Sequence, residues 1–570
     1  MASRAAVKEG RFMTTTHDTL MALLAQMPPE EREWIVGRDT VDGLHQAFGK
    51  KRVVHAGRGG VPIMNPAEQQ RLWTDLMAQE YRGDGRSVYI HIPFCDRKCL
   101  YCGFFQNFSS DELMDNYVDA LVEELAQADG ARRLQGRPVE AVYFGGGTPS
   151  ALSAANLGRI MQALRQHLPL ANDCEITLEG RINDFTPDYV DAVLALGINR
   201  ISIGVQSFDT RVRKSVARID DKQTVIDRLD YMVKTGNVAV IIDLMFGLPY
   251  QTMENWQEDL DIQYDLGIHG GDLYQLNIFP DSDLHRAIAS GKLPAGATTA
   301  EQADMFVHAL EDMRLRGAIN RVDVSHWANG RRERCVYNTL TKGNRDIIQF
   351  GCGAGGKLSG YGMMNYRSLP EYIDAVMAGR KPIQFMAGPQ DHYAFIGEIM
   401  RHMEGMYLDG RELMRKWQVN PVEELRPVLE IWAQKGLVTV ERDLMRMTPA
   451  GQFWHDNLIQ SVTEMMSMLE REDVIAPRVD DVARQDELLD RPETEAMPKA
   501  DDMFVSMMMT QMAKYMDDER YADHPHVLMM KEALAKMGMT DADLHSPEQF
   551  RRLSNTLMNQ MSASPKQGEQ

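Results

Sequence analysis

From Ser87 onward, short β-rich runs alternate with amphipathic helical stretches. The runs are Ser87–His91, Val139–Phe144, Cys174–Glu179, Arg200–Val205, Val238–Leu244 and Asp272–Ile278. Between them Asp111–Ala128, Leu157–His167 and Pro187–Leu196 carry the helical spacing. Strands separated by helices imply parallel pairing through right-handed crossovers, hence an α/β fold with a full or partial (β/α) barrel. In such barrels the chemistry lies at the carboxyl ends of the strands.

The flanks read differently. Residues 1–80 form an N-terminal extension, disordered at its start, with helical spacing at Leu20, Leu23, Leu24 and at Leu72, Leu76, Met77. Gly57-Arg58-Gly59-Gly60 matches no full phosphate-loop pattern and reads as a turn. The barrel region spans 81–385. Residues 386–470 read as helix, short strand (Gly436–Val440), turn (Met447–Gly451) and helix. A charged, Pro-containing linker covers 471–500. Residues 501–570 follow, with Met503, Met507, Met508, Met509, Met512 and Met516 on a helical repeat and a disordered tail. Methionines at that spacing are ordinarily core filler.

Composition narrows the class. The chain has 570 residues, 44% hydrophobic and 25% charged, as soluble globular proteins have. A net charge of −20 argues against a general nucleic-acid binder, since phosphate contacts need a basic face. Six cysteines in so long a chain make no disulfide framework, and no run reaches the length of a membrane span. A cytoplasmic protein with no membrane or nucleic-acid partner is expected.

Three of those cysteines, Cys95, Cys99 and Cys102, share one loop after the first strand, at spacing C-x3-C-x2-C. A [4Fe–4S] cluster usually takes four thiolates; three would leave one iron open to another ligand. A three-Cys zinc site is the alternative, but zinc ligands usually come as separated C-x2-C pairs. Later strands also end in polar or Gly-rich segments: Gly145-Gly146-Gly147-Thr148-Pro149, Glu179-Gly180-Arg181, Gly204-Val205-Gln206-Ser207-Phe208, and Asp243 through Pro249. Several convergent polar groups at one barrel mouth suit a ligand with many polar parts.

With Tyr89-Ile90-His91-Ile92-Pro93-Phe94 ahead of the cysteines, this stretch resembles the signature of the radical S-adenosylmethionine (SAM) superfamily. That resemblance implies a partial (β/α)6 barrel, a [4Fe–4S] cluster on Cys95, Cys99 and Cys102, and SAM chelated to the open iron. Y-x-H-I-P-F-C, G-G-G-T-P, G-V-Q-x-F, D-L-x-x-G-L-P-x-Q-T and the segment Gly351–Gly356 narrow the resemblance to the HemN-like branch, from about Ser87 to Val462. Members of this branch can bind two SAM molecules. By motif, Tyr89, Gly146 and Glu179 should touch the first. Tyr101, Gly147, Thr148, Gln206, Arg218 and Asp243 should line the second. The segment 386–470 resembles the branch's winged-helix-like domain, here a lid or substrate clamp.

Within the branch, oxygen-independent coproporphyrinogen III dehydrogenases continue the third cysteine as C-G-C, whereas position 104 here is Phe. Haem-chaperone relatives place a histidine where Tyr337 stands and another in the G-A-G-x-H run, which here reads Gly353-Ala354-Gly355-Gly356-Lys357. Cys102 to Asn107 and Leu178 to Arg181 look like the haem-utilisation (HutW/ChuW-like) subgroup. That likeness implies oxygen-independent haem degradation by a radical SAM methyltransferase, fed by a low-potential donor such as flavodoxin or ferredoxin. The macrocycle would open to a linear tetrapyrrole and release iron. Arg181, Arg321 and Lys357 are candidate propionate partners, against an ordinary solvated role. His326 and Cys352 are better read as packed core residues than as axial haem ligands.

Overall fold

The computed structural model describes residues 15–52, 60–103, 105–280, 282–317, 320–389 and 392–477. Phe104, the Gly57-Arg58-Gly59 turn, the linker beyond 477 and the Met-rich segment lie outside the described residues.

The six expected strands are present. They are β1 (Arg86–Ile92), β2 (Val139–Gly146), β3 (Leu170–Gly180), β4 (Arg200–Gln206), β5 (Ala239–Phe246) and β6 (Gly270–Gln275), each parallel to the next. Their helices start where the sequence offers a side-chain cap. Ser110, Ser153, Thr186, Asp221 and Thr252 each accept a backbone N–H of the first turn, at Asp111–Gln127, Ala154–His167, Pro187–Ala195, Lys222–Thr235 and Met253–Asp265. Val88, Ile90 and Ile92 of β1 are fully buried in the main core, and Tyr89 and His91 alternate with them.

The sheet extends beyond those six strands. On the far side of β6, β7 (His326–Ala328) pairs antiparallel, with His326 opposite Asp272. On the far side of β1, β8 (Asp346–Phe350) adds a further parallel strand, with Gln349 opposite Tyr89. Antiparallel strands Gly355–Leu358, Tyr361–Asn365 and Ile383–Gly388 continue that edge, and Val61–Pro62 of the N-terminal extension closes it. Among the described residues the ends of the sheet do not pair with each other, so the barrel stays open.

The N-terminal extension is more ordered than its composition suggests. Helices Thr16–Gln26 and Pro29–Val36 pack on the carboxyl-terminal region, where Trp432 Nε1 donates to the Val36 carbonyl (3.2 Å) and Trp454 Nε1 to the Gly43 carbonyl (3.0 Å). That region holds a three-stranded sheet, Tyr407–Asp409, Leu444–Met447 and Val438–Glu441, with helices Tyr393–Glu404, Gly410–Trp417, Arg426–Gln434 and His455–Arg471. Among the described residues no helix is long and apolar enough to cross a membrane.

Candidate active site

Pro93 ends β1, and the chain turns into the cysteine loop directly above the barrel interior. Cys95 and Cys99 are each 3% exposed, Cys102 is half-buried, and all three are free thiols. Thr148 Oγ1 donates to Cys95 Sγ at 3.2 Å, and Arg181 Nη2 to Cys99 Sγ at 3.4 Å. Burial pushes the Cys95 thiol up, and the Thr148 hydrogen bond pulls it back part of the way.

The glycine triplet packs beneath this loop. Gly147 N–H donates to the Ile92 carbonyl at 2.8 Å, and a Cβ added to Gly147 would stand 2.5 Å from the Phe94 carbonyl oxygen and 3.1 Å from Cys95 Sγ. Gly146 adopts φ +116° with the His91 ring so close that a Cβ would lie 2.8 Å from Nε2. The donor chemistry therefore fits an iron–sulfur cluster: three thiols from one loop, hydrogen-bond donors on two sulfurs, and bare backbone below. Gly147→Ala should displace backbone rather than a flexible side-chain end. The expected result is loss of bound iron and sulfide and a turnover lower by about 10²-fold, the cost of an ångström-scale misplacement. Wild-type iron content and rate in the anoxically purified variant would contradict this packing account.

Two groups of predicted residues gather at the barrel mouth. In the first, Tyr89 Oη lies 3.0 Å from His91 Nδ1, Tyr143 donates to Glu179, and a Cβ on Gly145 would be 3.2 Å from Glu179 Oε2. Burial pushes the Glu179 carboxyl up, while the Tyr143 bond and the Arg200 charge pull it back part of the way. In the second, Arg218 Nη2 donates to Tyr101 Oη at 3.2 Å. Gln206, at φ +70°, and Arg218 both crowd Gly204, whose register partner on β5 is Asp243. Gln206 Oε1 and Arg218 Nε are buried without a hydrogen-bond partner among the described residues, as groups awaiting a polar ligand are. Asp243 sits opposite Asp272 on β6; burial and that neighbouring carboxylate push its pKa up.

Sequence reasoning missed several residues here. His91 is buried, and burial with the Arg367 charge pulls it down to about 4, so it is neutral at neutral pH. Tyr143 and Tyr337 stack at 4.5 Å between ring centroids, 28° apart, with Tyr89 6.3 Å from Tyr337. Period-2 alternation from Tyr89 would have found His91, and from Gly145 would have found Tyr143. In the sequence Tyr337 stands out only as occupying the position where haem-chaperone relatives place a histidine; its place in this stack is not legible there. It rides on the helix Val336–Thr341, whose Val336 and Tyr337 N–H groups both donate to the Glu175 carboxylate at 3.1 Å.

Below the mouth lies a buried ionic network. Arg200 forks onto Glu333 (3.1–3.2 Å), Glu333 meets His326 Nε2 (3.2 Å), and His326 Nδ1 meets Asp272 (2.9 Å). His326 is 0% exposed, so the ring belongs to this network and not to an approaching haem iron. Cys352, also 0% exposed, donates to the Arg367 carbonyl. The propionate candidates have the following partners. Arg181 turns to the Cys99 sulfur, Arg321 is held by the Val324 carbonyl and Gln452, and Lys357 donates to the Gly343 carbonyl.

An open parallel barrel whose first strand feeds a three-cysteine loop, with carboxylates and glycines at the ends of the next strands, defines a radical SAM enzyme. A family model of the Radical SAM superfamily matches residues 89–262. The chain belongs to that superfamily, in its HemN-like branch, whose chemistry uses a [4Fe–4S] cluster and SAM. It is 38% identical over 424 residues to the anaerobilin synthase of Escherichia coli O157:H7, covering 74% of this chain and 94% of that one. It is 27% identical over 293 residues to the haem chaperone HemW of Bacillus subtilis (strain 168), covering 51% and 76%. The solved coproporphyrinogen III oxidase (HemN) of Escherichia coli shares the fold at a TM-score of 0.59 and 23% identity, over 69% of this chain and 93% of that one.

Proposed function

We infer that this protein degrades haem without oxygen, as a radical SAM methyltransferase that opens the porphyrin to a linear tetrapyrrole and releases iron. The likeness to anaerobilin synthase, spread over nearly the whole of that relative, carries the reading. When bound, the reduced cluster and one SAM supply a 5′-deoxyadenosyl radical, and a second SAM supplies the transferred carbon.

In this reading Cys95, Cys99 and Cys102 hold the cluster. Tyr89, Gly146 and Glu179 bind the first SAM; Tyr101, Gly147, Thr148, Gln206, Arg218 and Asp243 bind the second. The Arg218 guanidinium offers a fork for a carboxylate, and the carboxylates of Glu179 and Asp243 offer acceptors for an ammonium or ribose hydroxyl. The barrel, 81–385, carries the chemistry, and the region 386–470 clamps the substrate. The electron donor is a flavodoxin or ferredoxin, and the setting is the cytoplasm.

Coproporphyrinogen III oxidation is the second enzymatic reading, supported by the shared fold and weakened by Phe104, which stands where those enzymes carry a further cysteine. Haem transfer without turnover is the third. Anoxic incubation of cluster-loaded protein with haem, SAM and a low-potential reductant separates them by mass spectrometry of the pigment. A linear tetrapyrrole that gains one carbon, with S-adenosylhomocysteine, is expected. Unchanged haem, or carbon dioxide released from coproporphyrinogen supplied instead, would overturn the reading.

A further inference from the structure

A cavity of about 320 Å³ opens at the carboxyl ends of β5 and β6, at the end of the barrel that carries the cysteines. Phe246 and Gln275, the last residues of those strands, line it with Leu273 and with Phe306 of helix Thr299–Leu315. Lys51 and Arg52, from the N-terminal extension, complete the wall.

Lys51 is placed unusually for a lysine. Its ammonium donates to the Gln275 side-chain oxygen and stands 3.8 Å from the centroid of the Phe453 ring. Among the described residues no carboxylate lies within ion-pair distance of it. An amide oxygen and an aromatic face are weak partners for a buried cation, whose desolvation is offset well only by an anion. Burial draws its pKa down to about 7, with the Asp456 charge on the cavity wall resisting. Beside it, Arg52 reaches Glu464 at 3.5 Å and lies over the Trp34 ring at 4.8 Å, but its Nε is buried without a hydrogen-bond partner among the described residues. Two basic side chains therefore line a cavity of mixed walls, with Phe246, Leu273 and Phe306 on the apolar side and Tyr274, Gln452, His455 and Asp456 on the polar side, and part of their bonding capacity is unused.

We propose that this cavity is the subsite for the carboxylate-bearing edge of a flat, apolar substrate, with Lys51 as the anchoring cation and Arg52 as its neighbour. The proposal rests on the haem reading above and names the residues that would hold the propionate edge. The apolar walls take the rim of the macrocycle, and a propionate replaces Gln275 as the partner of Lys51. Sequence reasoning had assigned that role to Arg181, Arg321 and Lys357, none of which lines this cavity.

The test uses the full-length, cluster-loaded protein under anoxic conditions, with metal-free protoporphyrin IX and its dimethyl ester as probes. Binding is read from the porphyrin absorption and from quenching of tryptophan fluorescence. Wild type should bind the free acid more tightly than the diester by about 10-fold or more, the scale of one charge-assisted hydrogen bond. Lys51→Met should lose that preference and Lys51→Arg should keep it, while Lys234→Met, at an exposed helix position, should behave as wild type. Equal affinity of wild type for acid and diester would overturn the subsite without any variant having to fold. So would an undiminished preference in Lys51→Met. Failure of wild type to bind either porphyrin would instead overturn the haem reading on which the subsite stands.

Discussion

Replacing any one of Cys95, Cys99 and Cys102 with alanine is expected to abolish SAM cleavage and pigment turnover together. In the proposed reading each supplies one sulfur from a single loop, and a cluster held by three protein thiolates has none to spare. The loop is also pinned by contacts of its own: Phe94 is buried at 0% exposure, Gly147 N–H donates to the Ile92 carbonyl, and Asn107 N–H donates to the Pro93 carbonyl. The variants should therefore fold, keep the wild-type circular dichroism and lose only bound iron, acid-labile sulfide and activity. Alanine at Cys174, which lies on β3 away from the loop, should leave iron content unchanged. A variant of the trio that retained both sulfide and turnover would remove the foundation of the functional reading.

The second large effect is on stability. Glu333→Ala should cost about 3–5 kcal/mol in chemical denaturation, because it strands the Arg200 guanidinium in the barrel interior. Both side chains are almost fully buried, at 4% and 0% exposure, so little solvent screening relieves the loss. The double replacement Arg200→Met, Glu333→Leu should cost clearly less than Glu333→Ala alone, since apolar pairs of similar volume can substitute for buried ion pairs. Equal costs would show that packing, not charge, dominates there.

The same network sets a pH window. Burial alone would raise the Glu333 carboxyl, but the His326 bond and the Arg200 charge outweigh it and hold the group at about 2. Its contribution is complete above its ordinary value of 4.5 and is lost as pH falls from there toward 2. Burial alone would lower His326, but Asp272 and Glu333 lift it well above 6.5. Its contribution is complete below 6.5 and erodes as pH rises toward that higher folded value. The stabilisation that wild type has over Glu333→Ala should thus be greatest between about pH 4.5 and 6.5 and shrink on both sides. A difference that is flat from acid to alkaline pH would refute the linkage. Because Tyr337 follows Glu333 on the same segment, loosening this network should also disturb the Tyr89–Tyr143–Tyr337 stack at the mouth.

Much of the architecture was legible before any coordinates. The β-rich runs set the six strands to within a few residues, the largest boundary error being the start of β3, read at Cys174 and observed at Leu170. Helix starts read from apolar spacing alone place one at Leu157; the local cap Ser153 starts it at Ala154. The cysteine loop and the glycine triplet were legible because each is a short stretch whose spacing carries its chemistry. Gln206, Arg218 and Tyr101 could be named singly, but nothing local shows that they converge about Gly204.

What the amino-acid order determined alone is therefore the parallel barrel and the trio of sulfurs at its mouth. Both follow from periodicity and from ligand spacing within one loop. Only the tertiary structure decided that Arg200 meets Glu333 across 133 positions, that β8 joins the parallel sheet beside β1, and that Lys51 reaches Gln275 across 224. A buried charge on a strand announces that it needs a partner and says nothing of which one. The choice is made by strand register and by the crossovers that bring distant segments into one interior.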